Sequence, residues 1–282
     1  MKPFSVGVMI SNFNLPFDEA IDTAAAIGLD GIQLAGTREG QPFYPETFGS
    51  AERKELMKKL ADRNLKLSAV CGEQMHGFLN PALNPQLIEN SKRILDMAKE
   101  LGTDIVTTHI GVVPDDTECE SFRVLQDACG QLAAYADSIG SHFAIETGPE
   151  KSTVLRRFLD SLHSKGVAVN LDPGNLVMCA GDNAVEAVHN LGEYIVHTHA
   201  KDGYQLKQED LHLLYATAQA EQYHDVYIRE MRLGEGNVHF PEYLQALTDV
   251  GFRGFLTIER ECGNSPVLDI AYGAGYLRAL IG

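Results

Sequence analysis

The sequence lacks any Cys-x-x-Cys pair. Its five cysteines, Cys71, Cys119, Cys129, Cys179 and Cys262, are odd in number and scattered. That pattern excludes the common zinc-thiolate and dithiol redox motifs and suits free thiols in a reducing compartment. No apolar run approaches the roughly 20 residues a membrane span requires, so no membrane partner is expected. The apolar start at residues 6–10 stops at Ser11-Asn12, too short for a signal segment with a cleavage site, which predicts a soluble cytoplasmic protein. No lysine or arginine cluster offsets the formal charge of −16, and a field of that sign repels a phosphate backbone, which argues against a nucleic-acid partner. No Gly-x-Gly-x-x-Gly follows the first apolar segment, as a dinucleotide-binding open sheet would require.

What is present has the composition of an ordinary globular protein: 44% apolar and 22% charged residues with no low-complexity tract, which excludes disorder. A helical pattern ending in Gly or Asn, followed within three residues by a β-branched run, recurs at Gly28, Asn64, Gly102, Gly140, Gly166, Gly192 and Gly251. Gly and Asn accept the left-handed conformation that closes a helix, so each junction reads as a helix-to-strand turn. With an opening strand at about residues 4–10, the chain carries eight strands. Strands alternating with helices imply a parallel sheet, and eight such units imply a closed (β/α)8 TIM barrel in the α/β class. The 282 residues then form a single domain. Helical periodicity covers roughly 17–27, 50–63, 85–101, 119–138, 183–190, 240–250 and 266–280. A long charged insertion at about 203–231, with a helix predicted over Leu211 to Gln222, follows strand seven. Loops there lie on the active-site face, which makes the insertion a candidate lid, subunit contact or solvated excursion.

Residues at the carboxyl ends of barrel strands build active sites. Here strand four ends at His109, strand five at Glu146, strand six at Asp172, strand seven at His199 and strand eight at Glu259. Residues two apart on a strand share a face. Phe143 and Ile145, Val167, Val169 and Leu171, and Leu256 and Ile258 take the apolar parity, so Glu146, Asp172 and Glu259 take the opposite one and point into the barrel mouth. Uncompensated carboxylates packed together lose hydration at a cost of several kcal/mol each, which a cation relieves. Taken singly, each acid reads as a helix cap or loop ion pair; matching parity on three strands with His199 beside them makes the set Glu146, Asp172, His199 and Glu259 a metal site. His197 shares the face of His199 and reads as an interior histidine. His76 and His109 are divided between substrate contact and structural roles.

The segments Gly-Leu-Asp-Gly-Ile-Gln-Leu (28–34), Ala-Ile-Glu-Thr (144–147), Asn-Leu-Asp-Pro-Gly-Asn (170–175), His-Thr-His-Ala-Lys-Asp (197–202), Leu-Gly-Glu-Gly-Asn-Val (233–238) and Leu-Thr-Ile-Glu-Arg-Glu (256–261) together resemble the sugar phosphate isomerase/epimerase family of xylose-isomerase-like TIM barrels. The resemblance spans nearly the whole chain. It implies that Glu146, Asp172, His199 and Glu259 are metal ligands and that Glu146 and Glu259 double as catalytic acid and base. One departure is Asn175, where ketose 3-epimerases place a substrate-binding histidine. Three carboxylates and one imidazole favour one divalent ion, manganese first, with magnesium, cobalt or zinc as alternatives.

The activity implied is isomerisation or epimerisation of a small sugar, ketose or sugar phosphate, by proton abstraction beside a carbonyl through a metal-stabilised enediolate. The alternative is a metal-dependent dehydratase acting on an inosose-like or dehydroshikimate-like substrate. A nuclease on the same barrel would need further metal ligands and a basic groove, and neither is visible. A sugar-like small molecule is the expected partner, with substrate contacts from His76, His109, Asn175, Lys201 and Arg232. Lys201, Arg229, Arg232 and Arg260 lie near strands seven and eight, within reach of a phosphate. A homodimer or homotetramer is the expected assembly.

Overall fold

The computed structural model describes residues 3–38, 41–74, 76–208 and 225–282. Eight strands form its frame: β1 (Ser5–Met9), β2 (Gly31–Leu34), β3 (Lys66–Cys71), β4 (Ile105–Thr108), β5 (His142–Glu146), β6 (Val167–Leu171), β7 (Ile195–Ala200) and β8 (Phe255–Ile258). Each pairs in parallel with its neighbour in sequence, and β8 closes on β1, so the sheet is a complete barrel. Around it lie α1 (Phe17–Ile27), α2 (Ser50–Ala61), α3 (Asn84–Glu100), α4 (Glu120–Ser138), α5 (Ser152–Leu162), α6 (Ala184–Leu191), α7 (Phe240–Asp249) and α8 (Pro266–Ile281). This is the single-domain TIM barrel that the junctions imply.

Helix α5 supplies the helical pattern that the Gly166 junction implies between strands five and six, a segment whose periodicity is not among those given above. Leu155, Phe158, Leu159 and Leu162 form its apolar stripe at helical spacing and pack on the core. Two junctions also differ in mechanism. Gly28, Asn64, Gly102, Gly140 and Gly251 take positive φ and close their helices as expected. Gly166 does not, because α5 is already closed by His163 at φ 48. A Cβ on Gly166 would stand 2.1 Å from the Ala133 carbonyl oxygen, so that glycine permits close approach of β6 to α4. Gly192 is right-handed, at φ −48, and lies against Val250.

The apolar parity of β5, β6 and β8 enters the hydrophobic core as expected. The opposite parity fills the barrel interior. Phe255 stands beside Gly7 and Gly31, where a Cβ at Gly31 would come within 2.8 Å of its ring. Above it Ser68, His197, Asn170 and Thr257 form a hydrogen-bonded polar layer, and above that the acids converge.

The insertion leaves β7 as an antiparallel ladder, Asp202–Gln205 against Ile228–Met231. Its helix over Leu211 to Gln222 lies outside the described residues. Both ends of the ladder are pinned. The buried Asp202 carboxylate accepts N–H groups from Gly203, Gly234, Gly236 and Val238, each at 2.9 Å. Glu230 accepts from the Arg260 guanidinium at 2.6 Å and from the backbone of Glu261 and Cys262. The ladder is thereby fixed to the same rim that carries Glu259. All five cysteines are among the described residues and no disulfide joins them. No helix among the described residues is long and apolar enough to cross a membrane.

Candidate metal centre

Glu146 closes β5, Asp172 directly follows β6, His199 sits one residue from the end of β7 and Glu259 directly follows β8. All four are buried, and one donor atom from each lies within 4.8 Å of every other. His199 Nδ1 is 3.3 Å from Glu146 Oε1, from Asp172 Oδ2 and from Glu259 Oε2. One ion held at about 2.1 Å by several ligands sets neighbouring donors roughly 3 to 3.4 Å apart, so the spacing and the donor set fit a divalent ion.

The electrostatics show what such clustering demands. Burial pushes the Asp172 carboxyl up to about 6, against the stabilising pull of His199 and Lys201. Burial opposes ionisation of Glu259 too, yet the Lys201 ammonium and His199 hold it well below the usual carboxylate range. Burial disfavours a charged His199, but Glu259 and Glu146 push its pKa well above that of an ordinary imidazole. Three carboxylates in one buried pocket therefore gather positive charge from every neighbour, and a proton at Nδ1 competes with an ion for the same lone pair.

Supporting groups fix the orientation of these side chains. His199 Nε2 is 2.9 Å from Gln33 Oε1, which can only accept, and 3.2 Å from Asn170 Nδ2, which can only donate; the shorter contact puts the proton on Nε2, and Nδ1 faces the acids. The Gln33 amide donates in turn to Thr107 Oγ1 at 2.9 Å. Thr257 donates to His197 Nε2 at 2.9 Å, His197 Nδ1 donates to Asn170 Oδ1 at 2.9 Å, and Asn170 Nδ2 donates to Glu146 Oε2 at 3.1 Å. Burial and the neighbouring His199 hold His197 well below the usual imidazole pKa, so it is neutral, as that chain requires. His197 is thus interior, as its parity implies. Asp172 Oδ1 caps the following turn by accepting the Asn175 N–H at 2.8 Å.

The remaining sequence candidates divide. His109 lies at the mouth, with Nε2 3.6 Å from Glu146 Oε1 and Nδ1 3.2 Å from Glu73 Oε2. Burial lowers its pKa, but Glu146 and Glu73 raise it to about 9 overall. Lys201 Nζ bonds Glu259 Oε2 at 3.0 Å and Glu261 Oε2 at 2.5 Å. Asn175 donates to Glu146 Oε1 at 3.2 Å and to the Thr147 carbonyl, so it steadies a glutamate of the cluster. His76 is exposed on the segment after β3. Arg232 is turned outward, paired with Glu235 and stacked 4.8 Å over the Tyr272 ring. The structure therefore gathers His109, Asn175 and Lys201 with the four donors, pairs Arg232 with Glu235 and leaves His76 exposed.

Gln33, Asn170 and Glu73, which the sequence does not mark as site residues, bond His199, Glu146 and His109. For Gln33 the signal was present: a lone amide between apolar residues of a strand, with inward parity. Glu73 and Glu150 lie in loops, where parity says nothing. Glu150 is buried, accepts the Val113 N–H at 3.3 Å, and is pushed up to about 7 by burial.

A family model described as xylose isomerase-like TIM barrel matches residues 21–280. An uncharacterized protein of Methanocaldococcus jannaschii, MJ1311, is 27% identical over 202 residues, which are 65% of this chain and 61% of that protein. The chain thus matches less than two thirds of that relative's length. Among solved structures, a xylose isomerase domain protein from Planctomyces limnophilus shares 21% identity at a TM-score of 0.78, covering 99% of this chain and 97% of its own. The probable 3-DHS dehydratase AsbF of Bacillus anthracis shares 17% at 0.73, covering 98% and 99%. The D-psicose 3-epimerase of Clostridium cellulolyticum H10 shares 13% at 0.73, covering 99% of each chain.

Proposed function

We propose, starting from the fact that this chain belongs to the xylose isomerase-like TIM barrel family, that it is a divalent-metal-dependent isomerase or epimerase of a small sugar-like substrate. The observation that carries this reading is the pair Glu146 and Glu259. Both reach the same cluster, yet they stand on β5 and β8 with two strands between them, so they approach a bound molecule from different sides.

A bound divalent ion supplies Lewis-acid polarisation of the substrate carbonyl and acidifies the neighbouring carbon. Glu146, Asp172, His199 and Glu259 are the residues that would hold it, and the oxygen-rich donor set favours Mn²⁺ or Mg²⁺. Lys201 keeps Glu259 ionised, which equips it to accept a proton. Glu146, steadied by Asn170 and Asn175 and flanked by His109, is placed to give or take one on the other side. Return of the proton to the same carbon inverts it, and return to the adjacent carbon exchanges aldose and ketose. AsbF is named a probable dehydratase; that alternative shares the first proton abstraction, and product analysis separates the two.

The test is solvent exchange. In deuterated water the protein should wash label into the carbon-bound position of its substrate, and Glu146→Gln or Glu259→Gln should cut turnover by at least about 10²-fold. Ion content measured in each variant separates lost basicity from lost metal. Turnover with internal hydrogen transfer and no solvent label would assign the glutamates to ion binding alone.

A further inference from the structure

Residues 259–265, which carry the chain out of β8, have no regular structure, so their backbone N–H groups need partners from elsewhere. The Glu259 N–H bonds the Ala200 carbonyl at 3.1 Å, and the Arg260 N–H bonds Asn12 Oδ1 at 3.0 Å. One side chain from the insertion takes the next two. Glu230, on the return strand of the ladder, accepts the Glu261 N–H at 3.2 Å through Oε2 and the Cys262 N–H at 3.3 Å through Oε1. Oε1 also accepts from Arg260 Nη1 at 2.6 Å, and the same guanidinium donates through Nε to Asp269 in the first turn of α8. The Glu230 side chain is only 3% exposed. A carboxylate at that depth is costly unless its oxygens are bonded, and here both are.

We propose that Glu230 is a positioning residue for Glu259, and that the insertion thereby acts as a strut for the metal centre. The inference rests on the reading of Glu259 as an ion ligand. Glu259 and Glu261 share one lysine: Lys201 Nζ lies 3.0 Å from Glu259 Oε2 and 2.5 Å from Glu261 Oε2. Lys201 is itself held in place, its stem packed on Gly174, where a Cβ would stand 2.8 Å from Lys201 Cγ. The geometry of that fork is therefore set by the backbone at 260–262, which Glu230 grips. The grip has a fixed base. Glu230 stands opposite Gly203 in the ladder, one residue from Asp202, whose carboxylate is locked by four N–H groups. Glu146, by contrast, is steadied by Asn170 and Asn175 of the barrel and its β6 turn. Loosening Glu230 displaces Glu259 and leaves Glu146 in place.

The experiment measures Mn²⁺ affinity by calorimetry and amide hydrogen exchange in Glu230→Gln, beside Asp225→Asn, an exposed acid of the same insertion paired with Arg229. Each affinity is taken well below the variant's unfolding range, so that lost stability does not register as lost binding. Glu230→Gln should weaken Mn²⁺ binding by about 10-fold or more, as loss of a group that orients a ligand does. It should also speed exchange at the Glu261 and Cys262 amides while β5 keeps its protection. Asp225→Asn should change neither. Because removing one partner of a buried ion pair can unfold a protein, a double variant, Glu230→Gln with Arg260→Gln, removes both and should show the same loss. Wild-type affinity in a folded Glu230 variant overturns the proposal, as does unchanged exchange at residues 261 and 262. An equal loss in Asp225→Asn reduces the effect to general loosening of the insertion and overturns it too. A wild-type protein that binds no Mn²⁺ sinks the metal-dependent reading above, and this proposal with it.

Discussion

Gln33 shows how one neutral side chain sets the identity of a ligand. Its Oε1 fixes the proton on His199 Nε2 and leaves Nδ1 for the acids. Gln33→Leu should therefore weaken ion binding by about 10- to 100-fold in calorimetry, while Gln33→Glu, which keeps an acceptor, should recover part of that loss. Equal affinity in both variants would mean that packing alone orients the ring. The pH dependence follows from His199 itself. Its pKa is raised in the folded protein, so at neutral pH it holds a proton that an ion must displace. Ion affinity should then rise with pH, by about tenfold per unit for one proton released, and flatten once His199 is neutral. Titrations from about pH 6 to 8 in buffers of different ionisation enthalpy measure this directly, and a flat affinity contradicts the competition.

Among the elements, β6 and α5 show what local pattern conveys. Parity on β6 assigns Asp172 to the interior, and Asn170 shares its face, because alternate residues of a strand must face opposite ways. The junction at Gly166 was read as a left-handed cap, whereas the chain uses that glycine to let β6 lie against α4. Gly166→Ala should consequently destabilise by about 1–3 kcal/mol, as forced overpacking does, because the contacts are backbone atoms that cannot move aside. Gly192→Ala should cost less, since its contact is the Val250 side chain, which can shift. Thermal unfolding of the two variants ranks them, and a milder effect at Gly166 would refute the close-approach explanation.

For the molecule as a whole, the barrel brings together groups from four strands whose convergence is unfavourable without positive charge, so ion binding and folding are linked. An ion present at 100 times its dissociation constant adds about 2.7 kcal/mol to the stability of the folded state. Chelation should lower the melting temperature by several degrees, and Mn²⁺ should restore it. A melting temperature indifferent to both would show that the four donors bind no ion in solution. The closed barrel also accounts for the polar interior: Ser68, His197, Asn170 and Thr257 satisfy one another there, and their chain of hydrogen bonds ends on Glu146.

The sequence by itself determined the eightfold strand–helix alternation and the four donors, because turn chemistry and strand parity are local rules that need no third dimension. It also exposed Gln33 to anyone applying that parity to β2. Only the tertiary structure decided which cations were spoken for. Lys201 and Glu259 are 58 residues apart in the chain, and Arg260 meets Glu230 across 30 residues. Pairing over such separations depends on where barrel closure sets each strand end. So Arg232, within reach of the mouth by sequence position, turns to Tyr272, and Glu73 reaches His109 from a loop whose direction no periodicity encodes.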